Sequence, residues 1–260
     1  MRATAGELAQ LGAGLRSGDH EPPRQGGVTM ELVTVRSRQV WRDRERLRDL
    51  VIDANDGIVA IAGVVEGVLG AGLGNRAAAT AVLMVTIAGG ISLGGSRYTE
   101  AAAERDAREA LLEEERRQLR QAPDQELDEL AALYEAKGLT PDLARVVAVE
   151  LTAADALAAH AEEEHGIEVD DRPPPPLVAA IASGLAFALG ALVVVLTVVL
   201  TPSDWRVPTT FVAVTIALGL SSGVVARWGD VPLARTVARN VGVGLTAMAV
   251  SFAVGSLVEA

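Results

Sequence analysis

The chain has no cysteine, which excludes disulfides, thiolate metal sites and cysteine catalysis. Aromatic residues are scarce, at 3%, although half of the residues are apolar. Acidic residues outnumber basic ones and give a net charge of −11. Phosphate recognition needs clustered Lys and Arg, so nucleic acid is excluded as a partner. No nucleophile triad is present. The glycine-rich "GAGLGN" lacks the Lys and Ser/Thr of a phosphate loop, so nothing points to an enzyme or a nucleotide site. The first 30 residues contain Pro22 and Pro23 but no apolar core of signal-peptide type. Residues 1–35 therefore read as a disordered tail, with Met30 opening a more coherent segment.

What is present is apolar sequence gathered into five runs, 54–73, 77–96, 177–200, 208–227 and 238–258. Each has about 20 residues, enough helix to cross a hydrocarbon core of about 30 Å. A soluble bundle would need a polar face, which these runs do not have. The turn "GLGNRAA" makes a helical hairpin of the first two, and "TPSDWRVP" between the third and fourth puts Trp205 at an interface. Arginine placement orients the spans. "RSRQVWRDRERLRDL" holds six Arg, and the fourth loop holds Arg227, Arg235 and Arg239, against Arg76 and Arg206 in the opposite loops. The positive-inside rule puts the N-terminus, the long insert and the fourth loop in the cytoplasm and the C-terminus outside.

The expected fold is an all-α membrane protein of five transmembrane helices, with a cytoplasmic three-helix insert between spans two and three. Residues 36–98 form a basic leader and the first two spans, 99–171 the insert, and 172–260 the last three spans. The insert holds 21 acidic and 7 basic residues, a formal balance of −14. "AAAERDAREALLEEERRQLR" favours helix. Pro123 opens a second helix and Gly138 stops it. A third has Thr140 as N-cap, Pro141 in its first turn and Gly166 at its end. Leu127, Leu130, Leu133 and Tyr134 give the second helix one apolar stripe.

Several charged positions can carry chemistry. Asp56 and Glu66 sit ten residues apart in the first span, about 15 Å along a helix. A carboxylate at mid-membrane costs about 2.5–3.5 kcal/mol, so Glu66 either hydrogen-bonds a neighbouring helix as the acid or lines an ion or proton path. Gly57, Gly63, Gly67, Gly70 and Gly72 suit a tight dimer seam. In the insert, Glu115 with Gln118, and Glu126 with Glu129, are spaced to share a helix face. Two such helices can converge oxygens on a divalent cation, although from spacing alone a solvated acidic face is the stronger reading. His160 and His165, near a helix end among Glu162 to Glu164, read as surface histidines.

The order of these parts, with "NDGIVAIAGVVEGVLGAG", "AAAERDAREALLEEERRQL", "ELDELAALYEAKGLTPDLARVVAVELTAADALAAH" and "FALGALV", resembles the vacuolar iron transporter family over about residues 40–258. The resemblance implies a five-span homodimer in the lipid bilayer that moves Fe²⁺ or Mn²⁺, with an ion path at its two-fold axis and proton exchange. It implies Asp56 in the path and metal collection by Glu115, position 118, Glu126 and Glu129, with third-helix ligands near Thr152 and Asp155. No cofactor is called for, the metal being the transported ion. The chain departs from the family pattern at Leu93 and Arg97, where relatives place a Met and a carboxylate, and at Gln118 and Thr152. The expected function is export of divalent metal across a bacterial cytoplasmic membrane, through Asp56, Glu66, Leu93 and Arg97. Arg97 is expected to pair with Glu100 or Glu66. The alternatives are a non-transporting membrane-anchored homologue that has lost key ligands, and metal buffering by the insert alone.

Overall fold

The computed structural model describes residues 26–170, 173–229 and 231–259. Most of the expected N-terminal tail lies outside these residues. The chain divides into two compact units at Leu47 and Arg48, and the packing and the sites discussed below belong to the second. Among the described residues there are seven α-helices and no strand. They are α1 (Gly26–Gly70), α2 (Asn75–Gln121), α3 (Pro123–Ala136), α4 (Pro141–His165), α5 (Pro176–Leu200), α6 (Arg206–Trp228) and α7 (Leu233–Glu259), with a 3₁₀ turn at Ser203–Trp205 before α6.

Among the described residues, four helices are long and apolar enough to cross a bilayer: α2, α5, α6 with its preceding turn, and α7. Their outward faces are aliphatic. On α5, Leu177, Ile181, Leu185, Leu189, Leu192 and Leu196 all lie exposed at helical spacing, a stripe that water would not tolerate and lipid covers. The protein is a multi-pass membrane protein. The first expected span differs in kind. Helix α1 ends at Gly70, and its last 18 residues, 53–70, include Asp53, Asp56 and Glu66, so it is less apolar than the others.

Helix α2 is 47 residues long, about 70 Å at 1.5 Å per residue. It runs from the apolar segment 77–96 straight into the insert. No proline interrupts it, and Gly94 stays helical where it faces the Ala180 backbone of α5. Only Ala122 separates α2 from α3, so the chain reverses tightly there. Helix α3 begins at Pro123, and Gly138 follows it with φ +101°. Helix α4 ends at Gly166, whose φ of +66° lets its N–H reach the last carbonyls of the helix. Leu130, Ala131 and Ala148 form the insert core, with Leu127, Tyr134 and Ala159 against it. Burying Leu130 contributes about 1.5–3 kcal/mol.

Between membrane helices the lipid tails are as apolar as the side chains, so association depends on close packing. Gly190 of α5 shows how close: a Cβ there would stand 1.8 Å from the Ala54 carbonyl oxygen of α1. Gly57, Gly63, Gly67 and Gly70 of α1 likewise face α5 or α7 of the same chain. Gly190→Ala should cost roughly 1–3 kcal/mol, more if the backbones cannot separate. Gly219→Ala, where a Cβ meets nothing within 4 Å, is the control. Thermal unfolding in detergent should show a large loss for the first and almost none for the second.

Candidate metal centre

The reversal at Ala122 places Glu115 of α2 beside Glu126 of α3, both inside the insert. The third component comes from a break in α4. Asp155 leaves the helical conformation, with φ −159° and ψ 98°. Its Oδ1 accepts a hydrogen bond from the Ala158 N–H at 3.0 Å, which is how an N-cap starts a helix. The restarted segment presents His160 and Glu164, four residues apart and therefore on one face.

The four side chains converge. One ligand atom from each of Glu115, Glu126, His160 and Glu164 lies within 4.8 Å of the others. His160 Nδ1 is 3.0 Å from Glu164 Oε1, 3.4 Å from Glu115 Oε1 and 3.7 Å from Glu126 Oε2. Such separations fit atoms sharing a cation with bonds of about 2.0–2.2 Å. Glu115, Glu126 and His160 are 1%, 3% and 0% exposed, and Glu164 stands at the rim. His165 Nε2 approaches Glu115 Oε2 to 3.8 Å from the solvent side. Glu115 Oε1 and His160 Nε2 are buried without a hydrogen-bond partner, which buried polar atoms rarely are.

Electrostatically the cluster is short of positive charge. Burial first, then the charge of Glu164, pushes the Glu115 carboxyl above the usual carboxylate range, against the pull of His160. Burial first, then Glu129, does the same to Glu126, again opposed by His160. One imidazole nitrogen and three carboxylates, without sulfur, suit a borderline divalent cation such as Mn²⁺, Fe²⁺, Co²⁺ or Zn²⁺. The linkage has a definite sign. Unfolded, both carboxyls titrate near 4.5, and folded they titrate higher. The folded metal-free chain thus holds more protons above that pH, and its stability falls as pH rises through the folded values. Its thermal midpoint should be higher at about pH 5.5 than at about pH 7.5. The Glu115→Gln/Glu126→Gln variant should show a smaller difference; an unchanged one would contradict the assignment.

Of the five insert residues singled out from sequence, the structure brings two together. Gln118 is exposed. Glu129 is exposed and accepts a hydrogen bond from Gln125 Nε2, and Asp155 is occupied as a helix cap. Thr152 is half-buried, and its hydroxyl oxygen is buried without a hydrogen-bond partner. His160 corrects the sequence reading: it is fully buried, not at the surface. The signal for it was the spacing Asp155, His160, Glu164, a cap followed by a one-faced pair.

Toward the membrane, Asp56 is exposed. Glu66 is 0% exposed and neither of its oxygens has a hydrogen-bond partner. Leu93 is half-buried. Arg97 pairs with Glu100, as expected, and also with Asp53 of α1. It does not pair with Glu66, which is 13 residues further along α1 and so about 20 Å away from Asp53.

Comparison with known proteins identifies the family. A family model described as the VIT family matches residues 47–256. The chain is 34% identical over 214 residues to a vacuolar iron transporter of Acanthamoeba castellanii, covering 82% of this chain and 78% of that one. It is 30% identical over 184 residues to vacuolar iron transporter 2 of Oryza sativa subsp. japonica, covering 70% and 74%. A vacuolar iron transporter homolog 2 of Arabidopsis thaliana is 36% identical over 98 residues, 37% of this chain and 50% of that one. With a family model covering most of its length and a buried acidic cluster joined to membrane helices, this chain belongs to the VIT family.

Proposed function

We propose that the protein carries divalent iron or manganese out of the cytosol across the cytoplasmic membrane. The observation that carries this reading is the convergence of buried Glu115, Glu126 and His160 with Glu164 at the rim, Glu115 being on a helix continuous with a membrane span. The insert collects the ion, and the carboxylates of α1 receive it. The end of α1 is the fifth span in this reading. Its acidic residues lower its hydropathy because they line the path, with Asp56 at the insert end and Glu66 deeper. Leu93 and Arg97 of α2 border the same end.

The arginine balance of the loops places the insert and the N-terminus in the cytosol and the C-terminus outside. A homodimer is supported by the surface position of Asp56 and by an open apolar groove between α1 and α7, lined by Val59, Ala60, Val64, Val68, Val250 and Val254. A second copy seated there covers the groove and encloses the path, and exchange with protons supplies the driving force. The relatives named vacuolar iron transporters support iron as cargo.

Expression in a metal-sensitive host tests this reading. Cellular Fe or Mn should fall on induction, and growth in excess metal should recover. Unchanged cellular Fe and Mn, with the protein present in the membrane, would overturn it.

A further inference from the structure

A second polar constellation lies where α1 and α2 meet at the insert end. Asp53 is 1% exposed. Arg97 Nη2 donates to Asp53 Oδ1 at 2.9 Å, and Nη1 donates to Glu100 Oε2 at 3.2 Å. Asp53 Oδ2 is buried and has no hydrogen-bond partner. Asp56, one turn further along α1, is within electrostatic reach of both Asp53 and Arg97. Three carboxylates therefore surround one guanidinium, a formal balance of −2. An arginine that only anchored its helix at the headgroups would point its head outward into water. This one reaches across to a buried carboxylate on another helix, in a forked, charge-assisted arrangement.

We propose that Arg97 is a tethered cation that holds the place a divalent ion would otherwise take among Asp53, Asp56 and Glu100. A metal ion then engages Asp53 only by displacing the guanidinium. A fixed positive charge a few ångströms away repels a doubly charged ion beside the buried Asp53 carboxylate, so occupancy by Arg97 and by metal are mutually exclusive. The device keeps the mouth from trapping a cation while Asp56 and Glu100 still attract one. It admits an ion briefly and releases it, as conduction requires.

The test reads binding and not flux, so it stands or fails separately from transport. Mn²⁺ binding to the full chain in detergent is counted by equilibrium dialysis, with Glu115→Gln/Glu126→Gln as the background that silences the insert. Adding Arg97→Gln should create one saturable site, at least about tenfold tighter than anything the background binds. Adding Asp53→Asn as well should abolish it. A folded Arg97→Gln variant with no added site overturns the proposal, as does a gain that survives Asp53→Asn. Should Arg97→Gln fail to fold, Arg97→Met, which also removes the charge and keeps much of the apolar stem, is read in its place and should show the same added site. Binding identical to the background would then overturn the proposal.

Discussion

Replacing Glu115 and Glu126 together by glutamine is expected to lower the affinity of the purified chain for Mn²⁺ by at least about 100-fold. Loss of a partner outside the coordination sphere already costs about 10–100-fold at metal sites, and this change removes two charged ligands. Both carboxylates are buried against a single imidazole, so the attraction they provide is little screened by water. The same change relieves the crowding of negative charge and should stabilise the metal-free insert. Binding and stability then move in opposite directions, which a general disruption of the fold would not produce. Glu129→Gln and Gln118→Ala supply the contrast. Both positions are exposed, and either change should shift affinity only a few-fold. Calorimetric titration of all four proteins separates the cluster from the spacing-based pairs. Equal losses in every variant would contradict the placement.

Asp56→Ala should reduce metal flux to background while leaving binding by the insert intact. A divalent ion leaving water needs compensating charge along its path, since an uncompensated ion in an apolar medium is prohibitively unstable. Losing about 3 kcal/mol of that compensation slows passage about 100-fold. Glu66→Gln should reduce flux as well, because Glu66 is the fully buried carboxylate deeper in α1. In the expression test, neither variant should lower cellular metal. Full protection by Asp56→Ala would remove Asp56 from the path.

Much of the insert was legible in the sequence, because its boundaries are set by local chemistry. Pro123, Gly138, Pro141 and Gly166 each act through their own backbone, and the helices start and stop beside them. The apolar runs of α5, α6 and α7 were legible by length alone. The site was less so. A spacing of three leaves two side chains about 60° apart around a helix, so one of each pair can face inward while the other meets water. Glu115 and Glu126 turn in, and Gln118 and Glu129 turn out. His160 was hidden for another reason. Its burial depends on the break at Asp155, inside a segment whose alanines favour unbroken helix. The partner of Arg97 was hidden because it belongs to another helix 44 residues away. Local spacing shows Glu100, whereas the register of α1 against α2 decides for Asp53.

Movement of metal through the membrane is the central property, and flux into proteoliposomes tests it most directly. Vesicles holding the purified chain should take up Fe²⁺ or Mn²⁺ in a time-dependent, saturable way. Co²⁺ and Zn²⁺ compared in parallel would rank its selectivity, and Asp56→Ala vesicles should match protein-free ones. Uptake by the parent chain no faster than by protein-free vesicles, with the insert still binding metal, would contradict the central claim.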